Sequence, residues 1–201
     1  VVEIVGDKLY VVPLKGSYIP HVGDIVVGRI DDIGMSGWMV DIGAPYPALL
    51  PASEISGSRA HRQGTELSKI LDIGDLVVSE VIAFDRTRDP LLSTKGPGMG
   101  RVTSGRMIEL SPTKIPRLIG KKGSMISLIK KETGAHIMVG QNGIVLVSGK
   151  SPEMENAAID AIRMVDREAH TRGLTDRMQA MLRERMRSEG IEPGRERHST
   201  D

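Results

Sequence analysis

Ile119-Gly120-Lys121-Lys122-Gly123-Ser124-Met125-Ile126 is the stretch on which the reading of this chain turns. It joins two short segments of helical periodicity through a tight glycine-lysine-lysine-glycine loop. Glycines carry no Cβ, so the backbone N–H groups beside them can come close to a bulky anion such as a phosphodiester. Lys121 and Lys122 place mobile positive charge at the same spot. The helix predicted to start at Ser124 aims the positive end of its dipole at the loop, which favours an anion further. The competing reading is a plain turn between two helices.

The charge around the loop favours the first reading. From Lys114 to Lys131 the chain carries Lys114, Arg117, Lys121, Lys122, Lys130 and Lys131, with no acid among them. The whole chain is nearly neutral at +1, but this balance hides a split. Residues 1–100 hold nine Lys and Arg against thirteen Asp and Glu, whereas residues 101–201 hold eighteen against thirteen. A basic run on a bare helix face would be solvated surface. Around a glycine-flanked loop it reads as an electrostatic footprint for phosphates.

The flanking elements give the loop its setting. A strand is predicted over Arg101–Leu110 and a short helix over about Thr113–Ile119, before the loop. The helix after it runs from Ser124 to about Thr133 and stops at Gly134, as a C′ glycine stops one. Strands follow over His136–Val139 and Ile144–Ser148, around the turn Gly140-Gln141-Asn142-Gly143. Ser151-Pro152 then opens a long helix to about His170, with serine as cap, proline at the first position and Glu153 in the first turn. Its apolar face is Ala157, Ala158, Ala161, Ile162 and Val165. The order β-α-α-β-β-α, with GXXG between the first two helices, resembles the type I, or eukaryotic-type, KH domain. That resemblance implies that Gly120, Lys121, Lys122 and Gly123 clamp single-stranded RNA, with Arg117, Lys114 and Lys130 adding charge. Ile119 and Ile126 suit either the core or an aliphatic groove for bases. A last helix over about Thr175–Arg187 carries Met178, Met181, Leu182 and Met186 on one side and docks on its own chain or on a partner. Residues 190–201 are polar and read as disordered.

Upstream the pattern changes. Short strands are predicted over Ile25–Ile30, Gly37–Ile42, Ala48–Leu50 and Leu76–Phe84, with breakers at Gly34, Gly43-Ala44-Pro45, Pro47 and Gly57. This spacing suggests a small closed barrel of the OB type, capped at one end by a one-turn helix in Leu50-Pro51-Ala52-Ser53-Glu54-Ile55. Val1–Val5 and Leu9–Val12 flank a Gly6-Asp7 turn and predict a hairpin, the remainder of a larger β-domain. The chain opens on Val1 rather than Met, so it reads as a fragment or a processed start. The expected organisation is an N-terminal β segment at 1–18, a five-stranded OB-type barrel at 19–95, and a glycine-proline linker at 96–100. A KH domain at 101–170 follows, then a helix and tail at 171–201. The fold class is multidomain, β followed by α+β.

The two halves together point to a family. Val22-Gly23-Asp24-Ile25-Val26-Val27-Gly28-Arg29-Ile30, Ser36-Gly37-Trp38-Met39-Val40-Asp41-Ile42-Gly43 and Leu50-Pro51-Ala52-Ser53-Glu54-Ile55 resemble the OB-type RNA-binding domain of ribosomal protein S-one. Val12-Pro13-Leu14-Lys15-Gly16-Ser17-Tyr18-Ile19-Pro20 and Gly140-Gln141-Asn142-Gly143 are more specific, and residues 1–175 resemble the KH-containing cap subunits of the archaeal RNA exosome. The resemblance implies a non-catalytic subunit. Three copies would sit on a hexameric ring of phosphorolytic ribonuclease subunits and pass adenine-rich 3′ ends into it. The zinc-ribbon cap subunit would be a companion in mixed caps. In the barrel, Trp38 either stacks on a base or packs the core. Arg59, His61 and Arg62 either face the pore or form a solvated loop, and Arg29 is a weaker candidate.

Other functions find little support. Without cysteine there are no disulfides, thiol nucleophiles or usual zinc fingers, which fits a cytoplasmic setting. His21, His61, His136, His170 and His198 show no metal-ligand spacing, and Asp31 and Asp32 alternate across a strand. Gly143 and Gly149-Lys150-Ser151 miss the phosphate-loop spacing by one residue. No catalytic residue, metal or cofactor is therefore expected. No apolar run approaches the ~20 residues of a membrane span, and no signal peptide opens the chain. Two rival resemblances are weaker. A transcription elongation and antitermination factor has two consecutive KH domains, and a polynucleotide phosphorylase fragment has KH before the barrel.

Overall fold

The computed structural model describes residues 2–5, 8–11, 18–55, 66–85, 87–168 and 173–188. Packing divides the chain into two compact units. One is Val1–Thr103 with Ser111–Thr113 and Gly140–Ile144; the other is Ser104–Leu110, Lys114–Val139 and Val145–Asp201.

In the first unit, β1 (Val2–Val5) and β2 (Lys8–Val11) pair as an antiparallel hairpin. The barrel is built from β3 (Ile25–Ile33), β4 (Gly37–Asp41), β5 (Ala48–Pro51), β6 (Leu76–Asp85) and β7 (Arg88–Ser93). Its order is β3-β4-β5-β7-β6, and β3 pairs back onto β6, which closes five strands into a ring. Alternation explains the core: Trp38 and Val40 point inward on β4, with Val26 and Ile30 on β3 and Val77 and Val81 on β6. Two glycines allow close strand contact. A Cβ on Gly28 would lie 2.4 Å from Val40 Cγ1, and one on Gly37 would lie 2.4 Å from Leu50 O. The segment leading into β3 is tied down by the Tyr18 hydroxyl, which donates to Asp24 Oδ2 at 2.6 Å. Burial, then the Asp24 carboxylate, push that phenol well above its ordinary range.

The fifth strand of the expected barrel is β7, where sequence placed none. Pro90 lies within β7, and proline has no N–H for a ladder, so sequence argues against a strand there. The structure accommodates it with register shifts on β6, between Val81 and Ala83 and between Ala83 and Asp85, so that Pro90 has no directly opposed partner. The strand predicted over Arg101–Leu110 is also corrected. It is two strands, β8 (Gly100–Arg101) on β6 and β9 (Arg106–Glu109), divided at Gly105, whose φ of +116° suits glycine alone.

Inside the barrel the Ser79 hydroxyl is fully buried, with no hydrogen-bond partner among the described residues. A buried unsatisfied hydroxyl destabilises, and alanine removes it with little change of shape. Ser79→Ala is expected to raise barrel stability by about 1 kcal/mol, read as a higher urea midpoint. A lower midpoint would mean that the hydroxyl has a partner.

The second unit contains β9, α1 (Ile115–Ile119), α2 (Ser124–Thr133), β10 (His136–Val139), β11 (Ile144–Ser148), α3 (Pro152–Glu168) and α4 (Leu174–Ser188). The sheet runs β10-β11-β9. The helices cover it through Ile115, Leu118, Met125, Ile129, Ile162 and Val165. The last helix docks on its own chain: Leu174, Met178, Leu182 and Met186 of α4 are buried in this same core. Polar contacts orient it. Glu132 Oε1 accepts from Gln179 Nε2 at 3.1 Å and lies 3.4 Å from Arg183 Nε, while Arg185 pairs with Asp160.

The segment Gly140–Ile144, predicted as a turn, does more than reverse the chain. The ladder between β3 and β4 begins only at Arg29 opposite Asp41, which leaves the start of β3 without a strand on that side. Gln141 and Asn142 take the place of one. Gln141 N donates to Ile25 O at 2.8 Å, and Ile25 N donates to Gln141 Oε1 at 3.1 Å. Asn142 Nδ2 donates to Val27 O at 2.7 Å and to Ile42 O at 3.0 Å, and Val27 N donates to Asn142 Oδ1 at 3.2 Å. Buried backbone groups need partners, and here side-chain amides supply them. Among the described residues no helix is long and apolar enough to cross a membrane.

Candidate nucleic-acid interface

The glycine-lysine-lysine-glycine loop is held from both sides. Ile115 and Leu118 anchor α1 in the core, and Met125 and Ile129 anchor α2. Gly120 N donates to Pro116 O at 2.9 Å and ends α1. Gly120 then takes φ +74°, and a Cβ there would meet Met125 N at 2.8 Å. A single tight turn over Lys121–Gly123 follows, closed by Gly123 N donating to Gly120 O at 3.1 Å. Gly123 is left-handed at φ +77°, and α2 starts directly after it.

Lys122 is the informative residue. Its φ of +53° and ψ of +32° make it the one non-glycine residue with positive φ among the described residues. A left-handed L-residue costs about 1–2 kcal/mol, and such strain persists where the surroundings over-determine it. Both lysine side chains are exposed, as is Arg117 in the last turn of α1. Ser124 N, the first N–H of α2, donates to Lys121 O, so the turn runs directly into the helix. The loop therefore sits at the positive end of the α2 dipole, with Arg117, Lys121 and Lys122 exposed around it. Ile119 and Ile126 are partly buried and pack against the core on either side of it.

Other predicted site residues fall elsewhere. Lys114 Nζ donates to Asp166 Oδ1 at 2.8 Å and to Asp166 O at 2.7 Å, so its charge is committed to α3. Lys130 and Lys131 lie in the last turn of α2, where they complement the helix C-terminus. From Gly123 to Lys130 is about 10 Å along the axis. The basic run seen in sequence is thus not one patch, and its loop part is Arg117, Lys121 and Lys122. Arg29 Nη2 stands 3.9 Å from Asp41 Oδ2 as an exposed ion pair. Arg59, His61 and Arg62 lie outside the described residues, as do residues 190–201. No group of three or more His, Asp or Glu among the described residues is placed to hold a metal ion.

Trp38 is a correction. It is 0% exposed, and its Nε1 donates to Leu71 O at 2.9 Å, so it has no face to offer a base. In a chain with one tryptophan and one phenylalanine, the largest side chain fills the barrel. Trp38→Phe keeps most of the packing and loses that hydrogen bond. It is expected to destabilise the barrel by about 1–2 kcal/mol and to leave RNA affinity within twofold of wild type. A large affinity loss in a folded variant would restore Trp38 to the site. Sequence reasoning overlooked Tyr46, which sits among breakers at Pro45 and Pro47. It is half exposed and lies against Phe84, with ring centroids 5.8 Å apart.

Comparison with known proteins adds to this geometry. Residues 17–83 match the family described as RRP4, S1 domain, and residues 106–164 match the KH domain family. Exosome complex component Rrp4 of Thermococcus kodakarensis is 50% identical over 188 residues, which covers 92% of this chain and 73% of that protein. Its counterpart in Thermofilum pendens is 45% identical over 178 residues, covering 89% and 75%. A crystal structure of a protein assigned as an exosome complex RNA-binding protein superposes with a TM-score of 0.77 at 37% identity, covering 87% of this chain and 99% of that one.

Proposed function

We infer function from membership: the chain belongs to the Rrp4 family of exosome complex components, and it is a non-catalytic, RNA-binding cap subunit of that complex. One observation carries this reading. A closed barrel is joined in one chain to a KH unit whose Gly120–Gly123 loop is held in a strained left-handed turn and armed with exposed cations. Single-stranded RNA is the ligand, gripped through its phosphates by Lys121, Lys122 and Arg117.

Three copies sit on a hexameric phosphorolytic ring, alone or mixed with the zinc-ribbon cap subunit, in the cytoplasm. Their weak individual contacts are multiplied by effective concentration. Adenine-rich 3′ ends are held and passed into the ring for degradation.

Gel filtration coupled to light scattering, on this chain mixed with a purified archaeal phosphorolytic hexamer, tests the reading. Co-elution at three chains per ring is expected, with faster phosphorolysis of a labelled oligoadenylate than the ring achieves alone. Separate elution, with RNA still held by the free chain, would overturn the cap role.

A further inference from the structure

We propose that the barrel carries a subsite for a single nucleobase in the cleft beside Tyr46 and Phe84, and that this subsite favours a base with an exocyclic amino group. The proposal rests on the RNA-binding reading above and supplies what Trp38 does not, an aromatic surface on the barrel that a base can reach.

The cleft has a volume of about 890 Å³, ample for a nucleoside, and its apolar wall includes Ile19, Val22, Tyr46 and Phe84. Ile19 and Val22 are more than half exposed and Tyr46 is half exposed, so three large apolar side chains meet solvent around one depression. An exposed cluster of this kind marks a binding surface more often than chance. Two of the five aromatics, Tyr18 and Trp38, are buried in the barrel core. Among the described aromatics of the barrel, Tyr46 is the most exposed, at 50%. At a centroid distance of 5.8 Å and a tilt of 49°, the Tyr46 and Phe84 rings already touch, so no base enters between them. A base instead lies on the open face of Tyr46, while Phe84 holds the tyrosine ring from behind. Stacking of this kind tolerates any base.

The polar rim supplies discrimination. Asp85 Oδ1 accepts from Thr87 N at 2.8 Å and from Thr87 Oγ1 at 2.7 Å. These bonds orient the carboxylate and hold its pKa below the usual range, so it is ionised at neutral pH and can only accept. An amino group on cytosine, adenine or guanine can donate to it, whereas uracil turns a carbonyl oxygen toward the same position. Arg88 and Asp89 line the same cleft with opposite charges. The half of the chain that holds the barrel is net acidic, so affinity at this cleft comes from stacking and one hydrogen bond rather than from charge.

Fluorescence anisotropy on the full chain, with labelled oligocytidylate and oligouridylate at two salt concentrations, tests the proposal. Those two probes differ at the base position that faces the carboxylate. Tyr46→Ala is expected to weaken oligocytidylate binding by about fivefold to a hundredfold, with the salt slope unchanged, and Tyr46→Trp is expected to restore it. Asp85→Asn is expected to bring the cytidylate-to-uridylate ratio close to one. The buried Trp38 emission verifies that the barrel stays folded in Tyr46→Ala and Asp85→Asn. If wild type binds RNA and Tyr46→Ala binds it equally, the subsite is overturned while the RNA-binding reading stands. If Tyr46→Ala instead loses co-elution with the hexameric ring and keeps its RNA affinity, the cleft is a protein contact, which also overturns it. Failure of wild type to bind either oligomer would defeat the RNA-binding reading itself and the subsite with it.

Discussion

The double variant Lys121→Asp, Lys122→Asp is expected to bind single-stranded RNA about a hundredfold more weakly at about 0.1 M salt. Two charged hydrogen bonds are lost at ~1.5 kcal/mol each, and every ~1.4 kcal/mol is tenfold in affinity. Salt dependence gives a second, independent readout. Each phosphate neutralised on a single strand contributes roughly 0.7 to the slope of log affinity against log salt, so the slope should flatten by about 1.4. The fold should be untouched, because both side chains are exposed. Position 122 has φ +53°, a region aspartate enters more readily than lysine, so the turn itself is not strained further. Anisotropy titrations at two salt concentrations measure both quantities. Equal affinity and equal slope in the variant would remove the loop from the mechanism and leave RNA to the barrel.

A second large effect is expected where no ligand is involved. Asn142→Leu keeps the volume of the side chain and removes its amide. It strands three backbone groups: Val27 N, Val27 O and Ile42 O. Each buried group left without a partner costs ~1–3 kcal/mol, and the loss together should be about 3–5 kcal/mol. For a chain of this size that lowers the barrel's melting temperature by roughly 10 °C or more. Trp38 is the only tryptophan in the sequence and lies inside the barrel, so its emission reports that unit directly. A urea midpoint equal to wild type would mean that water satisfies β3 as well as Asn142 does. Asn142→Asp is a useful companion, because it presents oxygen to two carbonyls and should also destabilise.

The contrast between these two experiments shows where local chemistry sufficed. The Gly120–Gly123 loop could be read from eight consecutive residues, because positive φ at glycine and the stop of one helix before another are short-range matters. The order of KH elements and the closed barrel were legible for the same reason. Periodicity of 2 or 3.6 reports which face of an element is buried, without saying against what. β7 escaped that reading because Pro90 breaks the local rule, and only the bulged partner β6 shows why it is tolerated. Gly105 divided a continuous apolar-polar pattern into two strands.

The loop's local geometry was legible in sequence, whereas the surroundings of the proposed site residues were not. Lys114 looked like part of a phosphate patch until Asp166, far along the chain on α3, took its charge. Lys130 has the right sign and the wrong end of the helix. Trp38 could stack or pack, and inward alternation on β4 with Leu71 O waiting for its N–H decided for packing. Tyr46 and Phe84, unremarkable in sequence, became a surface only when a loop and the end of β6 met. The sequence by itself determined the family, the two folds and the glycine-lysine loop between two helices, because these depend on residues close in the chain and on patterns that repeat. Tertiary structure alone decided which cations remain exposed at the loop, which aromatic faces solvent and what satisfies the open start of β3. Those outcomes depend on pairs of groups far apart in sequence, whose meeting is set by how the whole chain closes.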